Sequence, residues 1–283
     1  MAFVSSSLMK QYINSLKFKT YVLDWIVALI LALYFFLIAE HAKPFNRQFS
    51  IDDLTISHPF AIKERVSGPA CIIIASLLPS TVIASILAFK HFTGKVDSKL
   101  EMLHTFQISI LGLTISIFLD GIITDILKNW IARPRPDFLA RCGVSIENRV
   151  NSELLDISVC TAPYGQVALI DGMRSTPSGH SSISFVAFLY LSLWLLGQFK
   201  LISITPQPIY KYLLAFSPLL LASYIALSRA QDYRHHFIDL ILGSILGCII
   251  AWFVYHHYWN NIFSKNCDSP KFADENEESI LPR

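Results

Sequence analysis

An all-α integral membrane protein, six transmembrane helices in a bundle, is the fold class this sequence predicts, and three observations predict it. Charged residues make up only 16% of the chain against 53% hydrophobic, where a soluble domain carries about a quarter charged. Six apolar runs, at 22–39, 69–89, 105–127, 181–199, 212–227 and 237–259, approach the ~20 residues that cross a bilayer as a helix. The mean hydropathy is +0.47.

Taken in order, the chain opens on a polar, basic stretch with Lys10, Lys17 and Lys19. The apolar run after it is too long for a cleaved signal, so span 1 is read as an insertion signal that stays in place. Six spans put both termini on one side, with the 2–3 and 4–5 loops. Lys and Arg divide almost evenly between the two sides, so the positive-inside rule is indecisive on raw counts. The tight clusters before span 1 and at Lys90, Lys95 and Lys99 place that side in the cytosol. The domain reading is a cytosolic tail at 1–20, a six-span membrane domain at 21–260, and a polar, acidic tail at 261–283 expected to be disordered. No repeat or second domain appears, and no nucleic-acid partner is expected. Five cysteines are scattered, which suggests neither a zinc cage nor a disulfide scaffold. Cys71 and Cys248 read as small core residues. Cys142 and Cys160 share the 3–4 loop and pair only if that loop faces an oxidising compartment.

The other membrane side receives the long 3–4 loop and the 5–6 loop, and three polar clusters map there. The first is DILKNWIARPRPDF, 125–138, at the end of span 3. Pro134 and Pro136 end the helix, leaving Lys128 in its last turn and Arg135 in an extended segment. Any one of these cations also suits a helix C-terminus and the lipid interface. The second cluster is RSTPSGHSSISF, 174–185, entering span 4. Ser178 serves as N-cap, Gly179 allows close backbone approach, and the free N–H groups make an anion site beside His180. Arg174 adds a cation. The third is SRAQDYRHHFIDL, 228–240. Arg229 follows span 5, a turn is expected through 230–234, and span 6 begins near His235. Asp239 is i+4 from His235 and i+3 from His236, so helical spacing favours neither histidine. Asp239 lies inside an apolar stretch, where an ionisable residue is costly and functional by default.

Several cations, a helix N-terminus and a His–Asp pair on one face supply what phosphoryl transfer needs: clamped oxygens, a nucleophile and a proton donor. No GxxxxGK[ST] loop is present, which removes P-loop nucleotide hydrolysis. No carboxylate array typical of magnesium is evident. A transporter would use charges inside spans as a proton relay, but leaves the PSGH helix start unexplained. A zinc hydrolase built on His180, His235 and Asp239 leaves the cations unused.

The three clusters resemble the type 2 phosphatidic acid phosphatase superfamily, whose signature is K-x6-R-P, then P-S-G-H, then S-R-x5-H-x3-D. Here these are Lys128 to Arg135-Pro136, Pro177-Ser178-Gly179-His180, and Ser228-Arg229 to His235 to Asp239. The PRPDFLARC and SRAQDYRHHF contexts look most like the fungal diacylglycerol pyrophosphate phosphatase type. The resemblance implies a six-helix membrane fold with its active site on a lumenal or extracellular face of the endomembrane system (vacuole, Golgi or plasma membrane). It implies magnesium-independent removal of phosphate from phosphatidate, lysophosphatidate or diacylglycerol pyrophosphate, with no cofactor. It also breaks the histidine tie. His235 would be the nucleophile that forms a phosphohistidine, Asp239 would hold its ring, and His180 would protonate the leaving oxygen. Lys128, Arg135, Ser178, Gly179 and Arg229 would bind the phosphoryl oxygens. Sphingoid-base phosphates or isoprenoid diphosphates are the alternative substrates, and a non-catalytic lipid-binding protein is the remoter alternative. Weaker expectations pair Asp125 with Lys128, face Asp120 into the bundle, let Gly243 and Gly247 bring span 6 close to a neighbour, and make 252–259 an interfacial aromatic belt.

Overall fold

The computed structural model describes residues 6–96, 98–144, 154–203 and 207–271. Among these, six helices are long and apolar enough to cross a membrane: α1 Leu16–Ala39, α2 Gly68–Phe92, α3 Lys99–Ile131, α4 Gly179–Gln198, α5 Ile209–Gln231 and α6 Phe237–Tyr258. Each coincides with one of the six apolar runs. The protein is a multi-pass membrane protein.

The extremes of burial and hydropathy are opposed. The least apolar span, α4 at 1.4, is 83% buried, whereas the most apolar, α1 at 2.6, is 17% buried. The cause is the solvent each helix meets. Lipid-facing α1 must be apolar, but α4 is surrounded by α2, α3, α5 and α6, so small hydroxyl residues suit its close contacts. Ser181, Ser182, Ser184 and Ser192 are fully buried. α6 lies closest on α4, and its glycines explain the approach. A Cβ on Gly243 would collide with the Ser178 carbonyl, and one on Gly247 with the Ser182 carbonyl. α1 packs chiefly on α3.

Local chemistry sets the ends. Ser67, Ser98 and Ser178 cap α2, α3 and α4 by accepting from the N–H groups of Ala70, Leu100 and Ser181. α3 is longer than expected at 33 residues, about 50 Å at 1.5 Å per residue. Its two polar ends therefore stand outside the hydrocarbon, and the C-terminal one carries Asp125 and Lys128 to the membrane surface. It stops where Ala132 turns left-handed (φ 46°) before the two prolines. α5 is broken: its regular segments are Ile209–Phe216 and Pro218–Gln231, because Pro218 has no N–H to continue the ladder.

Four expectations need correction. The 3–4 loop has structure of its own, with helices Phe138–Cys142 and Gln166–Asp171 over a small core of Phe49, Ile56, Phe138, Cys142, Leu169 and Met173. Cys142 and Cys160 form a disulfide there. The 5–6 turn falls later than 230–234, since α5 continues through Gln231 and α6 begins at Phe237. The aromatic end of α6 is mostly interior. Tyr255, Tyr258 and Trp259 are buried, with Trp259 Nε1 donating to the Tyr190 hydroxyl at 3.2 Å; Trp252 and Phe253 keep a belt-like exposure. The tail expected to lack structure from 261 folds back as far as 271. Gln198 Nε2 donates to the Asp268 carbonyl at 2.9 Å, and Cys267 is buried. The remainder, 272–283, lies outside the described residues.

Candidate functional site

The ends of α3, α4 and α5 and the turn before α6 meet around a cavity of ≈ 200 Å³, on the face that carries the 3–4 loop. Lys128, Arg135, Gly179, His180, Arg229 and His235 line it. Ser178 and Asp239, expected beside them, are fully buried behind the wall. The Ser178 hydroxyl is engaged as the α4 cap, while its backbone N–H donates to the Asp239 carbonyl at 3.0 Å, fastening the start of α4 to the start of α6. Gly179 is where absence of a side chain counts. A Cβ there would stand 2.8 Å from the Lys128 amine, so glycine lets that cation reach the first turn of α4.

Each cavity cation is backed by a carboxylate, and Arg229 also by a second, Asp232 at 3.6 Å. Lys128 Nζ is 3.3 Å from Asp125, Arg135 Nη2 is 2.7 Å from Asp171, and Arg229 Nη2 is 3.1 Å from Glu64. Asp171 also accepts from Arg141 at 2.8 Å. Burial raises the Asp171 carboxyl, but Arg135 and Arg141 outweigh it and hold the group below its usual range. Burial, then the neighbouring Asp125, pushes the Glu40 carboxyl up. The Nε–H groups of Arg135 and Arg229 are buried with no acceptor among the described residues, a cost that a bound anion would remove. Arg174 does not line the cavity but contacts two residues that do, Asp125 at 3.3 Å and the Glu40 carbonyl at 3.0 Å.

The two histidines occupy different places. His235 lies in the turn, after Tyr233 in the left-handed region (φ 54°), and its ring is buried. Its Nδ1 sits 2.7 Å from the Ser175 carbonyl. A carbonyl only accepts, so Nδ1 carries the proton and Nε2 keeps its lone pair. Burial first, then Arg135, Lys128 and Arg229, lower the His235 pKa well below its ordinary value. Burial and the three cations thus favour the neutral imidazole. His236 is the N-cap of α6; its ring contacts the Pro134 carbonyl at 3.2 Å and its backbone N–H donates to Asp239 at 2.9 Å.

Asp239 does not hold the His235 ring directly. It stands 4.0 Å from Nδ1, beyond hydrogen-bond length. Its oxygens accept from Ser175 Oγ at 2.6 Å, Thr176 Oγ1 at 2.5 Å, Arg133 Nη1 at 3.1 Å and the His236 N–H. It thereby fixes the 175–176 segment whose carbonyl orients His235. His180 Nε2 is 3.0 Å from the Val66 carbonyl. Sequence reasoning missed Glu64, Asp171, Ser175 and Thr176 as members of this arrangement. The first two lie in connections without periodicity; the last two sit directly before PSGH, where contiguity was the only available signal. Among the described residues no three His, Cys, Asp or Glu side chains converge as metal ligands do.

Such a site offers an unprotonated imidazole nitrogen, three cations and a helix N-terminus around a volume suited to a phosphoryl group. The comparisons with known proteins agree. The family described as the PAP2 superfamily matches residues 109–263. Diacylglycerol pyrophosphate phosphatase 1 of Saccharomyces cerevisiae is 44% identical over 223 residues, 76% of this chain and 72% of the relative. Probable diacylglycerol pyrophosphate phosphatase 1 of Schizosaccharomyces pombe is 37% identical over 87% of this chain and 84% of the relative. Lipid phosphate phosphatase 2 of Arabidopsis thaliana is 32% identical, covering 83% and 76%. No solved structure matches the chain.

Proposed function

The chain belongs to the PAP2 superfamily, and from that membership we propose that it hydrolyses lipid phosphates, with diacylglycerol pyrophosphate, phosphatidate and lysophosphatidate as substrates, through a phosphohistidine and without magnesium. The observation that carries the reading is His235: a buried, neutral imidazole, tautomer set by the Ser175 carbonyl, in one cavity with Lys128, Arg135 and Arg229.

In the first step the Nε2 lone pair of His235 attacks phosphorus, and an N–P bond forms as the bond to the leaving oxygen breaks. His180, with its Nε2–H on the Val66 carbonyl, enters this step protonated on Nδ1 as well and gives that oxygen the Nδ1 proton. The three cations and the Gly179 N–H bind the equatorial oxygens, whose charge is fixed in number but redistributed in the transition state. In the second step water attacks phosphorus, His180 takes its proton, the N–P bond breaks, and inorganic phosphate leaves with His235 neutral again. Asp239 stabilises the imidazolium-like phosphorylated ring through Ser175 and by its charge. The disulfide lies on the same face as the cavity, and disulfides persist in oxidising compartments. That supports a lumenal or extracellular site with cytosolic termini.

The test is phosphate release in detergent with chelator present, from the three proposed substrates, a sphingoid-base phosphate, an isoprenoid diphosphate and a soluble phosphomonoester. Wild type should act on the glycerolipids, His235→Ala on none, and His236→Ala should retain activity. Loss of wild-type activity on chelation would contradict the metal-free mechanism. Preference for the soluble ester would contradict the substrate class.

A further inference from the structure

A second hollow, larger at ≈ 680 Å³, opens between α2, α4 and α5. It shares no lining residue with the phosphate cavity and lies toward the opposite membrane face, where the 2–3 and 4–5 connections run. Its walls are apolar: Val82, Ile86, Leu191, Leu195, Leu214 and Leu221. Ser217 and Pro218, at the junction of the two α5 segments, line it beside α4.

Two cations stand at this otherwise apolar hollow. Lys95 belongs to the α2–α3 connection and Lys211 to the first turn of α5, and both line it. Lys211 Nζ donates to Gln207 Oε1 at 2.8 Å, a neutral partner. Neither lysine forms an ion pair among the described residues, whereas Lys200, nearby in the 4–5 connection, is matched by Asp268 at 2.9 Å.

Lipid chains in general wet any apolar helix face, but they do not call for two lysines without an ion pair among the described residues at one hollow. A volume in the ~300–1,000 Å³ range of lipophilic ligand sites, with basic residues at the headgroup end, fits an amphiphile with a long alkyl chain and an anionic head. Basic pockets between transmembrane helices recognise such headgroups. We propose that this hollow binds a phospholipid with an anionic headgroup from the leaflet opposite the phosphate cavity, its chain between α2, α4 and α5 and its head on Lys95 and Lys211. The occupant fills the hollow beside Pro218 and braces the helix that carries Arg229 at its other end.

The experiment uses the purified full chain in neutral detergent with phosphatidylserine and phosphatidylcholine of identical chains as probes. Neither bears a phosphomonoester, so neither is consumed. Native mass spectrometry should find phosphatidylserine retained about tenfold more than phosphatidylcholine, with thermal melting raised by phosphatidylserine alone. Lys95→Gln/Lys211→Gln should lose the preference, and Leu195→Trp should lose retention of both lipids; basal phosphate release in detergent should stay unchanged in the lysine variant. Equal retention of the two lipids by wild type, or an undiminished preference in the lysine variant, would overturn the proposal. The readout is binding rather than turnover. A wild type that retains phosphatidylserine yet hydrolyses nothing would overturn the hydrolase reading and leave this one standing.

Discussion

His235 and His236 are neighbours in the chain, yet one backbone turn gives them separate tasks. His235 precedes the helix and faces the cavity, with Nδ1 on the Ser175 carbonyl; His236 caps α6 and leans on Pro134. Asp239 acts on the first through the 175–176 segment. Asp239→Ala leaves Arg133 and two hydroxyls without an acceptor, and should cost about 3 kcal/mol of stability together with most of kcat. Ser175→Ala keeps the carbonyl and loses only the hydroxyl bond, so its kcat should fall far less. Melting curves and turnover on the two variants check the order; equal losses in kcat would contradict it. The lowered His235 pKa gives a second prediction. The unfolded histidine gains a proton near its ordinary pKa of about 6.5 while the folded one stays neutral, so stability falls as pH drops below that value. The fall in melting temperature between about pH 7 and 5 should be shallower in His235→Gln than in wild type, and a slope as steep as wild type would argue against a buried neutral ring.

At the level of helices, the α4–α6 contact sets the site, because Ser178 and Asp239 are bonded across it. Gly243→Ala would push a Cβ onto the Ser178 carbonyl, which is backbone and cannot swing aside. Overpacking of this kind costs about 1–3 kcal/mol, and here it should also depress kcat by moving His235 from Ser175. Gly247→Ala meets the Ser182 carbonyl, one turn deeper, and should destabilise comparably with less effect on turnover. Melting and kcat measured on both separate the two effects; a Gly243→Ala protein with wild-type kcat would contradict the coupling. The six spans were legible in the sequence because lipid imposes one chemistry on every residue facing it. The first turns of α3 were not, since Lys99 and Glu101 carry polar groups beyond the hydrocarbon, whereas Lys128 in its last turn was expected. The motif residues were legible from their types and spacing, and the cavity brings six of them together. Glu64 and Asp171, which back Arg229 and Arg135, come from connections whose path depends on tertiary packing, and no local pattern marks them.

Across the whole molecule, one membrane face is built as a cap over the cavity that holds His235. The helices Phe138–Cys142 and Gln166–Asp171 hold Arg141 between Asp137 and Asp171, and Asp171 in turn pairs with Arg135. The Cys142–Cys160 disulfide ties this cap to the segment entering the second helix. Cys142→Ser/Cys160→Ser should lower stability by about 3 kcal/mol, as expected for closing a loop of this size, and should raise KM more than it lowers kcat, because the disturbance reaches a binding cation rather than the nucleophile. Denaturant melts and steady-state kinetics check this; an unchanged KM would detach the cap from phosphate binding. The account stands most directly on the covalent step. Protein quenched during turnover of a lipid substrate labelled in its terminal phosphate should carry acid-labile, alkali-stable phosphate on the peptide containing His235, present in His236→Ala and absent from His235→Ala. Label on His236 or His180, or substantial turnover in His235→Ala, would contradict it.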